Sequence, residues 1–185
     1  MSGLSLSFQR YPLTGSPVLH DLPRSWGALP VVTAEPGRLL LPAPDGEGAW
    51  LGLVPERGRP AWAVRVVALL SPQGEVDLLT GRAIGEGTEV ASAGTVPPLR
   101  SLPGVARGQG AWWPLTRTPA EPEAPSCVRL TVRARPAGES EGDTEPVSDA
   151  SVQVELLDPV EFEERTGHAV PPLRPDAPYG GWRLP

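Results

Sequence analysis

The sequence predicts a mainly β protein: a small antiparallel sandwich or barrel-like sheet, one short helix at about 158–166, and extended proline-rich arms. Three observations carry this. Twenty-five of the 185 residues are proline, spread through the apolar segments. Each fixes its own φ, lacks a backbone donor and disfavours helix in the residue before it. Residues 61–70, Ala-Trp-Ala-Val-Arg-Val-Val-Ala-Leu-Leu, are apolar on both parities, which suits a strand near the middle of a sheet and buried on both faces. Finally, Val128, Leu130, Val132 and Ala134 alternate with Arg129, Thr131, Arg133 and Arg135, and Val152, Val154 and Leu156 alternate with Ser151, Gln153 and Glu155. Period two with one polar face marks a half-buried antiparallel strand.

In chain order, weaker strand candidates lie at 4–9, 38–41 and 49–54. After 61–70, Ser71-Pro72-Gln73-Gly74 supplies a turn and 75–79 the returning strand, so 61–80 reads as a β-hairpin. Another strand candidate covers 112–116. Residues 136–149, acidic and without apolar anchors, read as a mobile loop between the two alternating strands. Arg133 or Arg135 is expected to meet Glu155 across the polar face. Asp158 as N-cap, Pro159 at the first helical position, Glu161 in a capping-box spacing and Gly167 after the last turn define the helix. Val160, with Phe162 or Thr166, is expected to face inward. Residues 168–185 hold five prolines and no periodicity, which predicts an extended arm. The chain thus divides into an extended segment, 1–37, that allows a first strand, a β-rich core, 38–167, and a C-terminal arm, 168–185.

There is no lysine, no asparagine and a single isoleucine, Ile84. This is the residue bias of a very G+C-rich, bacterial genome. The net charge is −6 and unevenly placed: six arginines between Arg100 and Arg135, then ten acids and no arginine from Glu139 to Glu164. No sustained basic face emerges, so no nucleic-acid partner is expected. Cys127 is the one cysteine, and its strand context predicts a buried, inert thiol. The first ten residues lack a charged region followed by an apolar run, and no apolar run reaches the length of a membrane span. A cytoplasmic protein without a membrane partner is the expectation.

Several chemistries find no residues to carry them. One cysteine and two distant histidines, His20 and His168, cannot supply a four-ligand zinc set. No Gly-x-Ser-x-Gly elbow and no glycine-rich dinucleotide fingerprint occur, and a chain without lysine has neither Schiff-base nor Walker chemistry. No cofactor or metal is expected. Two near-repeats stand out: residues 46–53 (Gly-Glu-Gly-Ala-Trp-Leu-Gly-Leu) against 108–115 (Gly-Gln-Gly-Ala-Trp-Trp-Pro-Leu), and Val-Pro-Pro-Leu-Arg at both 96–100 and 170–174. A reduced alphabet accounts for them more simply than duplication.

Six tryptophans are many for a chain with two Phe and two Tyr. Trp50, Trp62 and one of Trp112 and Trp113 read as core anchors. Trp26 and Trp182 fall in Pro/Gly-rich segments, where Trp and Arg serve as docking anchors. The expected function is a non-catalytic structural or adaptor subunit of a larger bacterial or phage-like assembly. Its partners are other protein subunits, self-association being open, and the candidate docking residues are Trp26, Pro171, Pro172, Leu173, Arg174, Tyr179, Trp182 and Arg183. The alternative is a carbohydrate-type binding module with exposed tryptophans, and a third reading is a hydrolase with a dispersed site.

Overall fold

The longest alternating runs of the sequence become neighbouring strands of one sheet. The computed structural model describes residues 3–58, 61–85, 93–119, 121–137 and 150–175, and the backbone of 182–183. Along the chain these form β1 (Leu4–Pro12), β2 (Val32–Glu35), β3 (Arg38–Pro42), β4 (Glu47–Pro55), β5 (Trp62–Ser71), β6 (Gly74–Asp77), β7 (Gly94–Val96), β8 (Ser101–Leu102), β9 (Gly104–Gly108), β10 (Ala111–Pro114), β11 (Ser126–Pro136), β12 (Ala150–Leu157), α1 (Pro159–Thr166) and β13 (Trp182–Arg183). The larger sheet runs β2-β3-β12-β11-β5-β6, with β7 also on β5; the smaller runs β13-β1-β4-β8, and β9 and β10 make a hairpin. No barrel closes.

One core joins the two sheets. Leu4, Leu6 and Phe8 of β1 and Ala49, Leu51 and Leu53 of β4 meet Val64, Val66 and Ala68 of β5 and Leu130, Val132, Val152 and Val154 of β11 and β12. Each Val, Leu or Phe so buried contributes about 1.5–3 kcal/mol over its exposed state. The hairpin of 61–80 forms as β5 and β6. β5 is an interior strand, but only its Trp62, Val64, Val66, Ala68 and Leu70 face is buried; Ala63, Arg65, Val67 and Leu69 are half-buried. A run apolar on both parities does not distinguish these cases, because small and aliphatic residues are tolerated at a half-covered face.

Three further expectations change. The sheets are antiparallel except that β12 pairs with β3 in parallel; no local turn joins strands so far apart, so nothing local sets their direction. At β11 a bulge between Cys127 and Arg129 turns Val128 outward, 40% exposed, while Cys127 enters the core. Glu155 meets neither Arg133 nor Arg135: Arg38 Nη2 donates to its Oε2 at 2.7 Å and Arg165 Nη1 lies 3.4 Å from its Oε1. The Arg38 bond, then that from Arg165, holds the Glu155 carboxyl below the usual carboxylate range.

The helix forms as its caps require. The Val160 amide donates to Asp158 Oδ1 at 2.8 Å, and Gly167 takes the left-handed conformation at φ 72°. Its buried residue is Phe162, which packs with Leu40 and Leu157 on the outer face of the larger sheet. Val160, expected inside, is 66% exposed. β2, β7, β8, β9 and β13 escaped the sequence reading, being short and without period-two patterning. Gly81 fixes the segment after β6: at φ 69° it lies so close to the Ala106 carbonyl that a β-carbon there would collide with it.

Candidate functional site

Arg10 of β1 has the parity of Leu4, Leu6 and Phe8 and points inward. It is 2% exposed. A buried guanidinium is tolerated only when its donors are engaged, and here they are. Nε donates to Glu47 Oε2 at 2.7 Å and Nη2 to Glu47 Oε1 at 2.6 Å, a bidentate pair from β1 to β4. Nη1 donates to the Pro171 carbonyl at 2.6 Å, which ties down the C-terminal segment.

The same residue holds the N-terminal segment through its backbone. The Arg10 amide donates to the Gly27 carbonyl, and the Trp26 amide donates back to the Arg10 carbonyl. Ser25, buried beside them, donates from Oγ to Gln9 Oε1 at 2.7 Å and accepts from the Gly27 amide. The Arg174 amide then donates to the Trp26 carbonyl at 2.9 Å, and Arg24 Nη2 donates to the Pro175 carbonyl at 3.3 Å. Val170 packs against the Leu40, Leu157 and Phe162 cluster.

The structure therefore brings Trp26 together with Pro171, Pro172, Leu173 and Arg174, residues far apart in the sequence. Pro171, Pro172 and Arg174 are exposed, while Trp26 and Leu173 are half-buried. Trp182 and Arg183 contribute backbone, pairing as β13 with Leu6 and Ser5 of β1. Tyr179 lies outside the described residues, as do 138–149 of the acidic stretch; Pro136 belongs to the end of β11. The sequence reading did not single out Arg10, Glu47, Gln9 or Ser25. The available signal was the parity of Arg10, which puts it on the same strand face as Leu4, Leu6 and Phe8.

The remaining reactive groups are dispersed. Burial pushes the Cys127 thiol up to about 12. His20 and His168 are exposed, and among the described residues no three of His, Cys, Asp and Glu gather as metal ligands do. Trp50 and Trp62 are buried; Trp113 packs against the core with the Arg107 guanidinium 4.5 Å from its ring centre. No described helix is long and apolar enough to cross a membrane. Set against protein families, curated proteins and solved structures, the chain matches none of them.

Proposed function

We propose that the chain is a non-catalytic structural or adaptor subunit of a larger bacterial or phage-like assembly, and that it meets other subunits through the surface joining Trp26 to the strap 170–175. One observation carries this reading: two distant segments rich in Pro, Trp and Arg converge on one surface, their backbones pinned from beneath while Pro171, Pro172 and Arg174 face outward. A strap already extended and fixed loses little conformational entropy when a partner covers it. Arginine beside tryptophan is a composition that docking anchors favour. The carbohydrate reading has less to stand on, since the described tryptophans are buried or half-buried.

Because β13 pairs with β1 and Val170 packs against the Leu40, Leu157 and Phe162 cluster, deleting 168–185 would disturb the sheets as well as the strap. Outward-facing substitutions separate the two. Pro171→Ala with Pro172→Ala and Arg174→Glu leaves the Pro171 carbonyl and the Arg174 amide in place. The triple variant is expected to unfold at the wild-type denaturant midpoint and to lose co-purification with neighbouring subunits from its native host. Wild-type recovery of those subunits would sink the reading.

A further inference from the structure

The strap 170–175 and β13 are held by groups that do not depend on which chain supplies them. On the strap's side the hydrogen bonds are main-chain. The Pro171 carbonyl accepts from Arg10 Nη1, the Arg174 amide donates to the Trp26 carbonyl, and the Pro175 carbonyl accepts from Arg24 Nη2. β13 adds backbone pairing, with Trp182 opposite Leu6 and Arg183 opposite Ser5. Val170 adds a side-chain contact, against Leu40, Leu157 and Phe162. Apart from Val170 itself, every residue that receives the tail precedes 168. The tail of a second copy would meet the same carbonyl, amide, guanidinium and strand edge.

The body also needs a tail in that place. Without the Pro171 carbonyl the buried Arg10 loses the acceptor of Nη1, and without β13 the edge of β1 at Leu6 is open to other strands. What decides whose tail fills it is the connection from α1, which is short and faces solvent: Gly167, His168 and Ala169 are all exposed. Gly167, at φ 72°, has no neighbouring atom within 4 Å of where a β-carbon would stand, so the chain can leave α1 in another direction without collision. Cys127 is the one cysteine, so no intrachain disulfide ties the tail down. Exchanging an identical element between two copies keeps these contacts and alters only the connection.

We propose that the surface formed by Arg10, Trp26 and the edge of β1 accepts the tail of a second copy of this chain, two copies folding with straps and β13 strands exchanged. A tail on a short connection competes as though present at about millimolar concentration, so exchange is expected where copies gather that densely. An assembly does so; that use rests on the function proposed above, whereas the exchange does not. The test uses the purified full chain carrying Ser5→Cys and Arg183→Cys, directly opposed positions whose α-carbons lie within disulfide range. The protein is unfolded in reductant, refolded at about 1 µM or about 1 mM, and then oxidised. The dilute sample should be monomeric with an internal disulfide. At least about half of the concentrated sample should be a dimer that stays covalent on a non-reducing gel. Monomer at both concentrations overturns the proposal, and so does a dimer that separates on that gel because its disulfides are internal. A second variant keeps the natural Ser5 and Arg183 and lacks His168 and Ala169, which shortens the connection by about 7 Å. Its dimer should appear at concentrations at least about tenfold lower than for the natural chain, since a short connection favours exchange; an unchanged balance overturns the proposal. Neither variant alters Pro171, Pro172 or Arg174, so failure here leaves the co-purification experiment to decide the strap's function separately.

Discussion

Arg10 and Arg133 sit on strands of the same fold and serve opposite ends. Arg10 is enclosed, each nitrogen of its guanidinium donating to Glu47 or the Pro171 carbonyl. Arg133 stands exposed, facing another arginine across the strand pair. A chain whose positive charges are all arginine must draw struts and surface charges from one residue type. Burial and partner geometry, not residue identity, separate the roles. An enclosed, satisfied arginine binds parts of the molecule to each other, whereas an exposed one keeps its guanidinium at the surface.

Substitutions can break this contrast. The largest effect is expected at the strut: Arg10→Met leaves Glu47 charged and half-enclosed and the Pro171 carbonyl unpaired. It should lower unfolding free energy by about 3–5 kcal/mol in denaturant titration. A loss below 1 kcal/mol would mean the strap is held by packing alone. Next, Glu47→Gln keeps an acceptor but removes the countercharge, for a loss of about 1–3 kcal/mol, and should raise hydrogen exchange at the Arg174 amide. Unchanged exchange there would uncouple the pair from the strap.

Smaller effects belong to the exposed groups. The Glu155 carboxyl is held below its ordinary value of about 4.3 by Arg38 and Arg165, so its contribution is present above that pH and fades as pH falls through the lowered value. In Glu155→Gln that part of the acid-side decline should disappear, and an unaltered profile would show the triad contributes nothing. Smallest at neutral pH is the effect of Cys127. Its raised thiol costs no stability below about 8.5 and some above it, as the unfolded thiol ionises first. Native protein should resist alkylation near pH 8, and rapid labelling without unfolding would contradict its burial.

Much of this was legible where the pattern was local. The alternation of Val152, Val154 and Leu156 gave β12 because the face of a strand follows from its own period. The caps of α1 were readable because Asp158, Pro159 and Gly167 act on their immediate neighbours. Register and non-local contacts were not. Nothing in Arg133 announces that it will lie opposite Arg65, and nothing in Arg10 names Glu47 or Pro171. The two Val-Pro-Pro-Leu-Arg copies make the point within one chain. At 96–100 the valine is buried at the end of β7 and a turn follows, while at 170–174 the valine is half-buried and the rest forms an open strap. The other near-repeat does converge: both copies lead from a positive-φ glycine into a strand, and Ala49 of the first bridges Leu115 of the second.

The pairing of β1 with β13 sets a condition on how the molecule is made. Leu6 lies opposite Trp182, so the free edge of β1 waits for residues that leave the ribosome long after it. Among the described residues made before β13, those that meet this edge are 26–29, and an unpaired strand edge invites adhesion to other chains. Every strand between them is therefore made before this contact can form, and the yield should depend on how quickly β13 finds β1.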